Sequence, residues 1–406
     1  MKSALALLFG SSVFVALAAA AGCSSSSSNN PTTPVEAGGG NDGAVLDAGA
    51  DTATPDDASD ASTDPGSDAG PITGVAPETW TWVPFSDSKC RDGSPTGVAV
   101  NLNPASTKVM IYMEGGGACF NAITCGANMA TFGRAEFDTW SKRTLSGVMS
   151  RSDAANPMKD WNIVYVPYCT GDVHAGSNPA GQVPGITATQ SFVGHVNTGL
   201  YLKRLVPTFA TATQVLLTGV SAGGFGAAAN YDQVATAFGS VPVDMLDDSG
   251  PLMADPYLAA CQQDEFLSLW GLDKSLLPAC GADCVGDGGA TTNYTINYLK
   301  HMAKAYPNRK FGLMDSVNDG TITQFFGFGA ANCTNYAQVT EAVFTAGLND
   351  IRTQLASETN FGAFYFPGSE HTTLGSATFD TRVAGTTKLS DWVTAFVGGT
   401  VTNAGP

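Results

Sequence analysis

Ser221 stands in Gly219-Val220-Ser221-Ala222-Gly223, after the apolar run Val215-Leu216-Leu217 and before the small-residue run Gly226-Ala227-Ala228-Ala229. A serine on a tight turn between a strand and a helix projects its hydroxyl from the sheet edge. Glycines two residues to either side leave room for the strained backbone. The helix behind it presents backbone N–H groups and a positive dipole end to a developing oxyanion. The chemistry this favours is attack of a hydroxyl on a carbonyl carbon. A second strand-like run, Lys108-Val109-Met110-Ile111-Tyr112-Met113, leads into Glu114-Gly115-Gly116-Gly117-Ala118-Cys119. Three glycines let backbone approach a substrate carbonyl closely and supply another donor to its oxygen. Each motif alone could be a plain glycine turn; the two in this order point to one site.

A nucleophilic serine needs a base and an acid that orients it. The four histidines are His174, His195, His301 and His371. For a strand-turn-helix nucleophile the expected chain order is serine, acid, histidine, which leaves His301 and His371. His301 falls within a basic amphipathic segment, Asn297-Tyr298-Leu299-Lys300-His301-Met302-Ala303-Lys304. His371 follows the apolar run Phe364-Tyr365-Phe366-Pro367 and the loop Gly368-Ser369-Glu370, so His371 is the expected base. Spacing does not choose the acid. Asp315 and Asp319 follow one strand-like run and Asp247 and Asp248 another, and all four stay open on this ground.

Taken together, Cys90-Arg91-Asp92-Gly93-Ser94-Pro95, Glu114-Gly115-Gly116-Gly117-Ala118-Cys119, Tyr168-Cys169-Thr170-Gly171-Asp172, Gly219-Val220-Ser221-Ala222-Gly223-Gly224 and Asp247-Asp248-Ser249-Gly250 resemble the pectinacetylesterase family. That family includes plant pectin acetylesterases and Notum-type carboxylesterases, and the resemblance spans roughly residues 80–398. It implies an α/β-hydrolase-like fold, a Ser-His-Asp triad, and neither metal nor cofactor. Carried over by position, Ser221 is the nucleophile, Asp319 the acid and His371 the base. The oxyanion donors fall on the backbone of Gly117, Ala118 and Ala222. In one departure, Ala118 stands where many members carry tryptophan, which removes a large wall beside the nucleophile.

The elements that must position these residues alternate between strand-like and helix-like. Strands are expected over 108–114, 162–167, 214–219, 241–246, 310–315 and 362–367. Helices are expected over 222–236, 293–305, 337–357 and 389–397. This pattern predicts an α/β domain over 76–406, with a single mostly parallel sheet flanked by helices.

The N-terminus reads as an address. Lys2 and the apolar stretch 4–21 form a signal peptide, and Ala20-Ala21-Gly22-Cys23 resembles a bacterial lipobox with Cys23 as the lipidated residue. Residues 24–75 are rich in Ser, Gly, Ala, Thr, Pro and Asp, a composition expected to act as a disordered tether. The tether holds nine acidic residues and no basic one. Without it and Lys2, 27 acidic and 18 basic residues remain, a net charge of −9. Such a surface argues against nucleic acid as a partner. It also predicts repulsion of polyanions, which favours esters on neutral glycans.

Eight cysteines follow Cys23, an even number that reads as four disulfides in an exported chain. The short loop Cys119–Cys125 is the one pairing expected from spacing. For Cys280-x-x-x-Cys284 a bridge is preferred to zinc. The leading functional reading is an exported, membrane-anchored, monomeric serine esterase that removes acyl groups, acetyl first, from carbohydrate or small esters. The alternatives are a lipid-acyl or thioester hydrolase of Notum type and an inactive surface-binding module.

Overall fold

A computed structural model describes residues 70–285 and 291–406. The expected signal peptide over 1–23, Cys23 and nearly all of the tether lie outside the described residues. Packing begins slightly before residue 76. Ile72 is buried, and its N–H donates to Thr208 Oγ1 at 2.7 Å.

Eight strands form the central sheet: β1 (Thr81–Lys89), β2 (Pro95–Asn101), β3 (Lys108–Met113), β4 (Asn162–Val166), β5 (Gln214–Val220), β6 (Val243–Asp248), β7 (Phe311–Ser316) and β8 (Phe361–Phe366). Their order across the sheet is β1-β2-β4-β3-β5-β6-β7-β8. The pairs β1–β2 and β2–β4 are antiparallel, and all others are parallel. The inner strands are buried on both faces, as parallel strands covered by helices must be. Along β3 and β5, Ile111 and Leu217 face one apolar layer, while Met110 and Leu216 face the other.

All six expected strands are present. The antiparallel pair β1 and β2 went unread because β1 does not look apolar. Its burial alternates, and it carries Pro84, which edge strands tolerate since part of their ladder is unpaired. The expected helix over 222–236 is two helices, Ala222–Ala229 and Tyr231–Phe238. The break is at Asn230, whose side-chain amide donates to His174 O at 2.9 Å and Gly226 O at 2.8 Å. Such side-chain bonds compete with the helical ladder. The other three expected helices appear as Tyr294–Ala305, Glu341–Gln354 and Leu389–Val397.

The parallel register gathers the chemistry on one sheet edge. Met113 pairs with Gly219, Val220 with Asp248, Asp248 with Met314, and Ser316 with Phe366. The carboxyl ends of β3, β5, β6, β7 and β8 therefore lie side by side. The glycine loop, Ser221, Ser249, Asp319 and His371 each follow one of these ends. Ligands in open α/β sheets bind at this edge.

Candidate active site

Ser221 has φ +57 and ψ −122, a conformation that costs energy for any residue with a Cβ. The surroundings enforce it. Its N–H donates to Asp248 O at 2.7 Å, and its carbonyl accepts from Gly224 N at 2.8 Å and Phe225 N at 3.1 Å. The flanking glycines are required by close approach. A Cβ on Gly219 would lie 2.2 Å from Gly223 O, and one on Gly223 would lie 2.0 Å from Met113 O. The elbow thus packs directly against the end of β3, where the glycine loop begins.

His371 Nδ1 lies 2.6 Å from Asp319 Oδ2, and Asp319 is fully buried. The carboxyl oxygen accepts, so Nδ1 carries the proton and Nε2 is left free to act as base. Asp319 Oδ1 accepts from Thr321 N and Ile322 N, each at 2.8 Å. These bonds fix the carboxyl plane while covering the start of the helix Ile322–Phe326. His371 and Ser221 line the same cleft.

The three other candidate acids have different places. Asp248 Oδ2 accepts from Thr373 N and Leu374 N, both at 2.6 Å, and Ser249 Oγ accepts from Thr372 N at 3.2 Å. Asp248 and Ser249 therefore hold the loop that carries His371. Burial pushes the Asp248 carboxyl up. Asp315 lies beside Asp319. Burial first, then the Asp319 charge, raises its carboxyl well above the usual range. Asp247 packs under the helix Ala222–Ala229, where a Cβ on Gly224 would lie 2.1 Å from its Oδ1. Its carboxyl is likewise raised, by burial first and then by the Asp248 charge.

His301 is bound on the surface to Asp283 at 2.6 Å. His174 is buried beside the glycine loop, and its Nε2 lies 2.9 Å from Glu114 O. Burial lowers its pKa to about 4, so it is neutral and donates there. It braces the end of β3. Chain order gave no reason to look at it, because it precedes Ser221.

Gly117, Ala118 and Ala222 border Ser221. None of their N–H groups has a protein acceptor among the described residues, whereas the next amide, Cys119 N, is used by Gly171 O at 2.7 Å. The bridge Cys119–Cys125 closes the loop, and Cys90–Cys169, Cys261–Cys333 and Cys280–Cys284 complete the pairing. Four bridges fit an oxidising compartment. Among the described residues no helix is long and apolar enough to cross a membrane.

Two cavities meet at Ser221. One is almost wholly apolar, walled by Ala118, Leu252, Phe266, Trp270, Leu276, Phe325 and their neighbours. The other holds His371 together with Glu114, Arg143, Thr144 and Ser146. The apolar cavity was foreshadowed only by the missing bulk at Ala118.

A mainly parallel sheet whose strand ends carry an elbow serine, a glycine loop and a histidine–carboxyl pair defines an α/β-hydrolase-like protein. The solved structure of the Wnt deacylase Notum from Drosophila shares this fold, with a TM-score of 0.60 and 19% identity over 80% of this chain and 95% of that one. The pectinacetylesterase family model matches residues 82–275. Mouse palmitoleoyl-protein carboxylesterase NOTUM is 32% identical over 172 residues, 40% of this chain and 33% of that protein. The zebrafish inactive palmitoleoyl-protein carboxylesterase notum1b is 34% identical over 99 residues, 23% of this chain and 70% of that protein. The chain belongs to the pectinacetylesterase family, a family of carboxylic-ester hydrolases. It spans about a third of the length of the first curated relatives it matches.

Proposed function

We propose that the protein is a serine carboxylesterase whose preferred acyl group is an apolar chain longer than acetyl. Ser221 is the nucleophile, His371 the base and Asp319 the residue that orients it. Gly117, Ala118 and Ala222 supply the oxyanion donors. The observation that carries this reading is the apolar cavity opening onto Ser221 and the glycine loop. His371 lines the other cavity and must deliver a proton to the leaving oxygen. The alcohol therefore leaves through the polar cleft, and the acyl chain occupies the apolar one.

An acetyl group on Ser221 reaches few of these apolar walls. Each buried methylene is worth about 0.8 kcal/mol, so the six more in octanoyl offer up to about 5 kcal/mol. We expect kcat/KM for p-nitrophenyl octanoate to exceed that for the acetate by about 10²-fold or more. Ala118→Trp should erase this preference while sparing acetate. Faster turnover of acetate by the wild type would return the protein to the acetylesterase reading on carbohydrate. Absence of any ester turnover would favour the inactive binding module.

The same reading places the enzyme outside the cytoplasm, held to a membrane by lipid on Cys23, as Ala20-Ala21-Gly22-Cys23 and four disulfides support. Mass spectrometry of the native N-terminus should find a diacylglyceryl cysteine. A mature chain starting elsewhere, or an unmodified Cys23, would refute the anchor.

A further inference from the structure

The peptide between Gly116 and Gly117 has little intrinsic preference for its orientation. Gly117 sits at φ +81, and two adjacent glycines impose few steric limits on the plane between them. One side chain holds that plane. Asn128, 7% exposed, donates from Nδ2 to Gly116 O at 2.7 Å. A carbonyl oxygen only accepts, so the amide nitrogen must face it. In a planar trans peptide the C=O and N–H point in opposite directions. Holding Gly116 O toward Asn128 therefore turns Gly117 N–H away from Asn128. That N–H has no protein acceptor among the described residues, and Gly117 borders both cavities at Ser221.

We propose that Asn128 is a positioning residue that locks the Gly116–Gly117 peptide with its N–H aimed at the substrate oxyanion. Asn128 is itself held. The buried guanidinium of Arg91 donates to Asn128 O at 2.8 Å and Cys125 O at 3.0 Å, and to Gln190 Oε1 at 2.7 Å. Gly171 closes the other side, where a Cβ would lie 2.7 Å from Arg91 Cδ and 3.1 Å from Asn128 Oδ1. Arg91, Asn128 and the Cys119–Cys125 bridge thus form one brace behind the glycine loop. The oxyanion donor is preorganised before substrate arrives, which is the condition for strong electrostatic stabilisation.

The inference rests on the esterase reading, and the test separates the two. Asn128→Ala removes the donor. Asn128→Asp keeps the shape but turns a carboxyl oxygen toward Gly116 O. In the full chain, kcat and KM are measured on the p-nitrophenyl ester that the wild type cleaves best. Affinity is measured for an alkyl trifluoromethyl ketone, whose adduct with a serine carries an oxyanion. Removing an oxyanion donor costs about 10²- to 10³-fold in kcat. We expect both variants to lose about 10²-fold in kcat, with KM within threefold of wild type. Ketone affinity should fall by a similar factor, with the melting temperature little changed.

If kcat and ketone affinity stay within threefold of wild type in both variants, the assignment is overturned. It is also overturned if kcat falls while ketone affinity holds, or if neither variant folds, since a purely structural role would do that. A wild type that neither cleaves esters nor binds the ketone would overturn the esterase reading itself.

Discussion

Ser221→Ala is expected to lower ester turnover by about four orders of magnitude or more and to leave the fold intact. The elbow survives the change. Its φ of +57 is held by backbone bonds to Asp248, Gly224 and Phe225, none of which uses the hydroxyl. Circular dichroism and the melting temperature should match wild type. A fluorophosphonate should label the wild type at Ser221 and fail to label the variant. Full labelling of another serine, with activity retained in Ser221→Ala, would remove Ser221 from the chemistry.

His371→Ala should cost about as much as Ser221→Ala. The double variant should be little worse than either, because the two act as a unit. Asp319→Asn should cost roughly ten to a hundred times less than His371→Ala. In the proposed triad the carboxyl at 2.6 Å orients the ring and stabilises its cation without carrying the proton. The Asn amide would donate to Nδ1 and favour the ring tautomer whose Nε2 holds the proton, the wrong form for a base. Its remaining oxygen can still accept from Thr321 N and Ile322 N, so the local fold should persist. Asp315→Asn is the control. If it lowered kcat more than Asp319→Asn, the acid would have to be reassigned.

Much of this was legible in the chain. The elbow at Ser221 and the glycine run before Ala118 are local. Their glycines answer to contacts within a turn or between adjacent strands, and such demands leave a readable pattern of small residues. The inner strands were equally legible, because strands buried on both faces are continuous apolar runs. The choice of His371 rests on its place after a late strand. Spacing does not separate Asp319 from Asp315, Asp247 and Asp248, and its choice rests on the family resemblance.

The rest was hidden because it is made across long separations. The His371–Asp319 bond joins residues 52 apart, and the Asp248 clamp on the His371 loop spans 125 and 126. Four aspartates at neighbouring strand ends are chemically alike in one dimension. Burial and the partner each one meets make Asp319 the histidine's partner and Asp248 a loop clamp, and leave Asp315 and Asp247 buried with their carboxyls raised well above the usual range. The apolar cavity has the same origin. Its walls come from segments as far apart as Ala118 and Phe326, and no single segment announces such a cavity. A hydrophobic residue reads the same whether it fills the core or faces a cavity. Only the three-dimensional packing leaves the space beside Ser221 empty.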